Sequence, residues 1–98
     1  MNMTIYDKAQ WHIDAGENER IVLARFKAVY LFLQKRNLLS EEGLETCRIG
    51  IDDSIVLHQR LLTDKGNQFI DRYYDHVLSL DPSEIEKVLE AFWNACSV

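Results

Sequence analysis

The stretch Glu19–Arg36, ERIVLARFKAVYLFLQKR, constrains the fold more than any other part of the chain. At about 100° per residue, Val22, Phe26, Val29, Tyr30 and Leu33 fall on one apolar arc of a helix, and Ile21, Ala24, Ala28, Leu31 and Phe32 fall on another. Only Arg20, Lys27 and Gln34 form a clearly polar strip. A helix that is apolar around most of its girth is expected to be covered on more than one side, which makes 19–36 the central element. Arg25 lies between the two arcs. A guanidinium there must reach out to water or meet a carboxylate or a backbone carbonyl, and a largely buried, partnered Arg25 is predicted.

The flanking chain supplies helix boundaries. Asn18 suits the N-cap of the central helix, Glu17 and Glu19 suit its positive end, Lys35 and Arg36 its negative end, and Asn37 the C′ position. Ser40 followed by Glu41 and Glu42 starts a second helix over about 41–48, with Leu39 placed to staple onto Leu44. Thr63 caps a helix over 64–80, in which Phe69, Tyr73 and Val77 form one row and Ile70, Tyr74 and Leu78 the next. Asp81-Pro82-Ser83-Glu84 is the sharpest boundary, with an acidic cap, proline in the first turn and a Leu80–Ile85 staple. The last helix, 82–96, is predicted to pack on the central one through Ile85, Val88, Leu89, Phe92 and Cys96, with Glu86, Lys87, Glu90 and Asn94 in water. Its acidic balance also opposes the basic residues of 19–36. Residues 51–62 hold the β-branched pair Ile55-Val56. They read as a short helix, with a small hairpin in 48–62 as the alternative. Near the start, Asp7 suits a cap, Gly16 a helix end, and Trp11 a side chain docked on the core.

Ninety-eight residues suffice for one core and not two, so 1–98 is read as a single all-α domain, a compact bundle of four to five helices around 19–36. A net charge of −5 counts against nucleic acid and against an anionic membrane surface, and favours a basic protein as partner. No apolar run is long enough to span a bilayer. No basic segment followed by an apolar one opens the chain, so no secretory signal is expected and the cytoplasm is the expected location. Cys47 and Cys96 lack CxxC or Cys/His spacing and read as small core residues.

Motifs for chemistry are sparse. Ser40, Ser54 and Ser83 have roles as caps or turn residues, and there is no GxSxG elbow. Asp71 and Asp75 share a helical face beside Arg72 and His76, but one carboxylate pair leaves a hard cation mostly uncoordinated. No metal site or cofactor is expected. The Leu61–Ile70 stretch, LLTDKGNQFI, resembles the exit from the wing of a winged-helix regulator, although the recognition helix such a domain needs is missing.

Tyr6-Asp7-Lys8-Ala9-Gln10-Trp11-His12 and Leu62-Thr63-Asp64-Lys65-Gly66-Asn67-Gln68-Phe69, leading to Tyr73-Tyr74-Asp75, together resemble a family of small uncharacterised bacterial proteins. That family has a YDxAxWH opening and a later LxxxGNxFxxxYYD pattern. The resemblance implies a small cytoplasmic protein of the kind found beside toxin or mobile-element loci, with no established activity. The residues themselves suggest a cluster of amphipathic aromatics with polar tips. Glycine at position 66 suggests close approach of another backbone, for which the Tyr6–His12 arm is the candidate. Three functions follow as expectations. The first is a non-enzymatic protein-interaction domain, toxin-neutralising or regulatory, for which homo-oligomers are allowed. The second is a small-ligand binder or enzyme built on Tyr6, Asp7, Trp11, His12, Tyr73 and Tyr74, with Arg25 and Asp75 as further binding candidates. The third is a winged-helix-like DNA-binding regulator.

Overall fold

A computed structural model describes residues 3–96. Among them, five α-helices, two short strands and two 3-10 turns follow one another as β1 (Ile5–Lys8), α1 (Ala9–Asp14), α2 (Glu19–Lys35), α3 (Glu41–Ile49), β2 (Val56–His58), a turn at Gln59–Leu61, α4 (Asp64–Tyr73), a turn at Tyr74–His76 and α5 (Pro82–Cys96). Helices dominate, as the apolar spacing predicts. No helix among the described residues is long and apolar enough to cross a membrane.

Helix α2 begins and ends as its sequence dictates. The Asn18 side chain accepts a hydrogen bond from the Ile21 amide. At the other end Asn37 takes a left-handed φ of 57°, and the Leu38 amide reaches back to the Leu33 carbonyl while the Asn37 amide bonds that of Gln34. These two bonds form a Schellman closure, which satisfies carbonyls the helix would otherwise leave bare. The inward arc is fully sequestered: Val22, Phe26, Val29, Tyr30 and Leu33 are each at most 2% exposed, and Phe32 is buried beside them. The second arc is not covered as the sequence suggests. Ile21 and Leu31 are each 45% exposed, and Ala24 and Ala28 are half-buried, because α1 and α5, which both pack on α2, leave this side partly open.

Helix α5 seats Ile85 and Leu89 in the core, and Val88, Phe92 and Trp93 pack more shallowly. The opposed charges meet across the α2–α5 contact: Lys35 bonds Glu86 at 2.5 Å, and Arg36 holds Glu90 through both carboxylate oxygens. Glu86 and Glu90 are therefore half-buried rather than free in water. Cys96 is exposed, so it is not a core residue; Cys47 packs partly on the core, where burial raises its thiol pKa.

The segment 51–62 corrects the helical expectation. Val56–His58 is a strand, and its partner is β1, some fifty residues earlier in sequence, not a neighbour in 48–51. Antiparallel pairing matches Ile5 with His58, Asp7 with Leu57 and Lys8 with Val56, with one irregularity between Ile5 and Asp7. The Tyr30 hydroxyl donates to the Val56 carbonyl at 2.9 Å, which ties this strand to the centre of α2. Helix α4 is also shorter than the predicted 64–80. It stops at Tyr73 and tightens into the 3-10 turn, whose three-residue repeat brings Tyr74 and Val77 inward together. Ser40 and Thr63 cap α3 and α4 as expected, bonding the amides of Gly43 and Gly66. Leu39 is buried but Leu44 is 47% exposed, so α3 is held less by a staple than by its contact with the 59–61 turn. That contact needs glycine. A Cβ on Gly43 would fall inside the Leu61 carbonyl oxygen, and one on Gly66 would meet the Leu38 carbonyl. The close approach at Gly66 is thus made by Leu38, not by the Tyr6–His12 arm.

Candidate functional site

Five side chains, four from residues 7–25 and the distant Tyr74, form one hydrogen-bonded series behind α1. Asp7, only 5% exposed, stands at the hinge between β1 and α1. Its carboxylate accepts the Tyr74 hydroxyl at 2.6 Å, the Lys8 amide at 2.9 Å and the His12 Nε2–H at 2.8 Å from both oxygens. His12 sits one and a half turns along the chain, so α1 itself delivers it back to Asp7. Its other ring nitrogen lies 2.6 Å from Glu17 Oε2. The second Glu17 oxygen accepts from Arg25 Nη1 at 2.6 Å, and Arg25 Nε donates to the Leu80 carbonyl at 2.9 Å. Arg25 is therefore mostly buried and partnered, with 17% of its side chain exposed, as its position between the arcs predicts.

The electrostatics are balanced along this series. Two carboxylates face the two ring nitrogens of His12, so both nitrogens must donate, and the imidazolium form is favoured. Burial pulls the His12 pKa down, but the hydrogen bonds and charges of Asp7 and Glu17 outweigh it and the net displacement is upward. Glu17 is held below the ordinary carboxylate range, first by Arg25 and then by His12. The Tyr74 hydroxyl is pushed far up by burial and by the adjacent Asp7 charge, so it acts only as a donor. Two anions and two cations alternate, and no buried side-chain polar atom among the described residues lacks a partner.

Of the eight residues singled out from the sequence, Asp7, His12, Arg25 and Tyr74 meet here. Tyr6 lies on the same strand but bonds Asn67 Oδ1 at 2.7 Å, fastening β1 to the start of α4. Trp11 is 52% exposed and does not dock on the core, because the inward face of the six-residue α1 is taken by Ala9, His12 and Ile13. The Lys8 ammonium lies over its ring instead. Tyr73 points to α5, stacks on Phe92 at 4.7 Å and bonds Cys96 Sγ at 2.7 Å. Asp75 is exposed. Glu17 is the member the sequence reading assigns only to the helix dipole. Its spacing of five from His12 and eight from Arg25 carries no motif, and only the turn at Gly16, with φ of 95°, brings it round.

Chemically this is a closed arrangement. His12 cannot take a proton from a substrate without surrendering a bond to Asp7 or Glu17. Three surface grooves among the described residues, beside α3, beside Ile49 and beside Trp93, are lined without Asp7, His12, Glu17, Arg25 or Tyr74. Among the described residues no group of three or more His, Cys, Asp or Glu is arranged to hold a metal ion; at this cluster the His12 ring occupies the space between the two carboxylates. Compared with known proteins, the chain matches no family model, no curated protein and no solved structure.

Proposed function

We propose that the protein is a non-enzymatic interaction domain that binds another, basic protein in a toxin-neutralising or regulatory role. The observation that carries this reading is the closure of the Tyr74–Asp7–His12–Glu17–Arg25 series. The most chemically capable groups of the chain are consumed by one another, and they tie β1, α1, α2 and the α4–α5 connection into one body. Positioning residues spent in this way support recognition by surface rather than by chemistry. The resemblance of the opening and Tyr-Tyr-Asp motifs to small proteins beside toxin loci points in the same direction.

The surface that suits a basic partner is the C-terminal half of α3. There Ile49 is 77% exposed, and a groove of about 290 Å³ runs beside it past Glu42, Thr46, Asp52, Ser54 and Val56. An apolar anchor with an acidic rim gives both affinity and electrostatic steering. The DNA-binding alternative lacks support, since among the described residues β2 pairs with β1 and not with a neighbouring strand as a wing requires. The test is affinity capture from the source cell with the wild-type chain and with Ile49→Arg. A basic protein retained in a salt-sensitive way by the wild type and lost from the variant is expected. Retention of no basic protein by the wild type, or equal retention by both, refutes the reading.

A further inference from the structure

The outer face of α2 is the largest departure from what its sequence leads one to expect. Ile21, Ala24, Ala28 and Leu31 lie along one side of the helix; the two alanines are half-buried, while the end residues are each 45% exposed among the described residues. Two features indicate what covers this face. The first is spacing. Ile21 and Leu31 are centred on position 26, and so are Ala24 and Ala28. A second α2 laid antiparallel across that midpoint sets Ile21 against Leu31 of the partner and Ala24 against Ala28 of the partner. Each contact then occurs twice, as a twofold interface requires. Small residues at the centre let the two backbones approach, and large ones at the ends fill the space where the helices diverge.

The second feature is charge. Arg20 flanks this face and has no ion-pair partner among the described residues. On the same flank, at the other end of α2, a groove of about 590 Å³ lies between α2 and α3, lined by Gln34, Glu41, Leu44, Glu45, Cys47 and Arg48. The antiparallel arrangement moves Arg20 about 18 Å along the axis, at about 1.5 Å per residue, to the level of Leu31 and Gln34 on the other copy. There it comes to the end of the groove that holds Glu41, which has no ion-pair partner among the described residues, and Glu45, which is paired with Arg48. Lys27 falls on the rim near the axis, where its long stem carries the ammonium to water.

We propose that this face is the interface of a symmetric dimer of the chain, formed by antiparallel packing of α2 on α2 with Arg20 of each copy set against α3 of the other. This does not depend on the proposed function. A second copy is preferred over a foreign helix because the chain carries both halves of the complementarity, in matching register and charge.

Sedimentation velocity on the full chain over the micromolar to millimolar range tests the dimer. A monomer–dimer equilibrium is expected. Leu31→Lys, a change at a half-exposed position, should leave the unfolding midpoint unchanged and weaken the dimer about ten-fold or more, or about 1.4 kcal/mol. Register is tested in a Cys47→Ala, Cys96→Ala background by oxidising Ile21→Cys alone, Leu31→Cys alone and an equal mixture of the two. The mixture should cross-link far more than either variant alone, because like positions are about 15 Å apart along the axis and beyond disulfide reach. A chain that stays monomeric throughout overturns the proposal. So does a dimer unaffected by Leu31→Lys, or one in which the single variants cross-link as readily as the mixture.

Discussion

Removing the Tyr74 hydroxyl tests whether the buried series stabilises the fold or merely accompanies it. Tyr74→Phe keeps the ring, which is 6% exposed, so no cavity forms. What disappears is one donor to a carboxylate at 2.6 Å, and Asp7 retains His12 and the Lys8 amide. Hydrogen bonds to charged groups contribute about 1.5–3 kcal/mol, so that is the expected loss. Asp7→Ala is harsher, since it orphans the buried hydroxyl and leaves His12 facing only Glu17; about 3–5 kcal/mol is expected. Against a total stability of about 5–15 kcal/mol for a domain this size, either loss is easily measured. The double variant decides the mechanism. Once Asp7 is gone the Tyr74 hydroxyl has nothing to donate to, so Tyr74→Phe should then cost little. The coupling energy should therefore be about 1.5–3 kcal/mol. Urea unfolding of the four proteins at about pH 6, with slopes compared to confirm two-state behaviour, supplies the numbers. A coupling below about 0.5 kcal/mol would falsify the reasoning, whatever the single variants do.

His12 has a folded pKa raised above its ordinary 6.5, so its contribution is complete below about pH 6.5 and is lost as pH rises through the folded value. Wild-type stability should fall on the alkaline side of that point relative to His12→Gln, and parallel pH profiles for the two would remove His12 from the account. Glu17, with a lowered pKa, contributes above about pH 4.5 and loses that contribution as pH falls through its folded value; Glu17→Gln should flatten the acid limb of the same profile. Gly43→Ala should destabilise by about 1–3 kcal/mol despite alanine's better helix propensity, because its Cβ meets the Leu61 carbonyl. A gain in thermal stability would show that the α3 contact can relax. Leu89→Ala, at a fully buried site, should cost about 2–5 kcal/mol, whereas Glu90→Ala loses a partly screened pair with Arg36 and should cost less than about 1 kcal/mol. Equal urea midpoints would place the wrong face of α5 in the core.

What the sequence determined by itself was local. Asn18, Asn37, Ser40, Thr63 and Asp81-Pro82 set helix ends through bonds to amides and carbonyls a few residues away, and such bonds need no distant partner. The inward arc of α2 and the buried side of α5 followed from helical periodicity, and the partnering of Arg25 from the cost of burying a charge alone. Tertiary structure decided the rest. Val56–His58 became a strand because β1 offered an edge from the far end of the chain, and periodicity within 51–62 holds no trace of that edge. Trp11 and Cys96 turned outward because the inward positions of short or terminal helical turns were already filled. Within the second arc of α2, Phe32 was buried but Ile21 and Leu31 stayed half-exposed, because the docking of α1 and α5 on α2 leaves those two positions open. Glu17 joined His12 and Arg25 only through the turn at Gly16, so its role was set by where the backbone reversed. Contacts between groups far apart in the chain depend on how the elements dock, and side-chain spacing along one element cannot encode that.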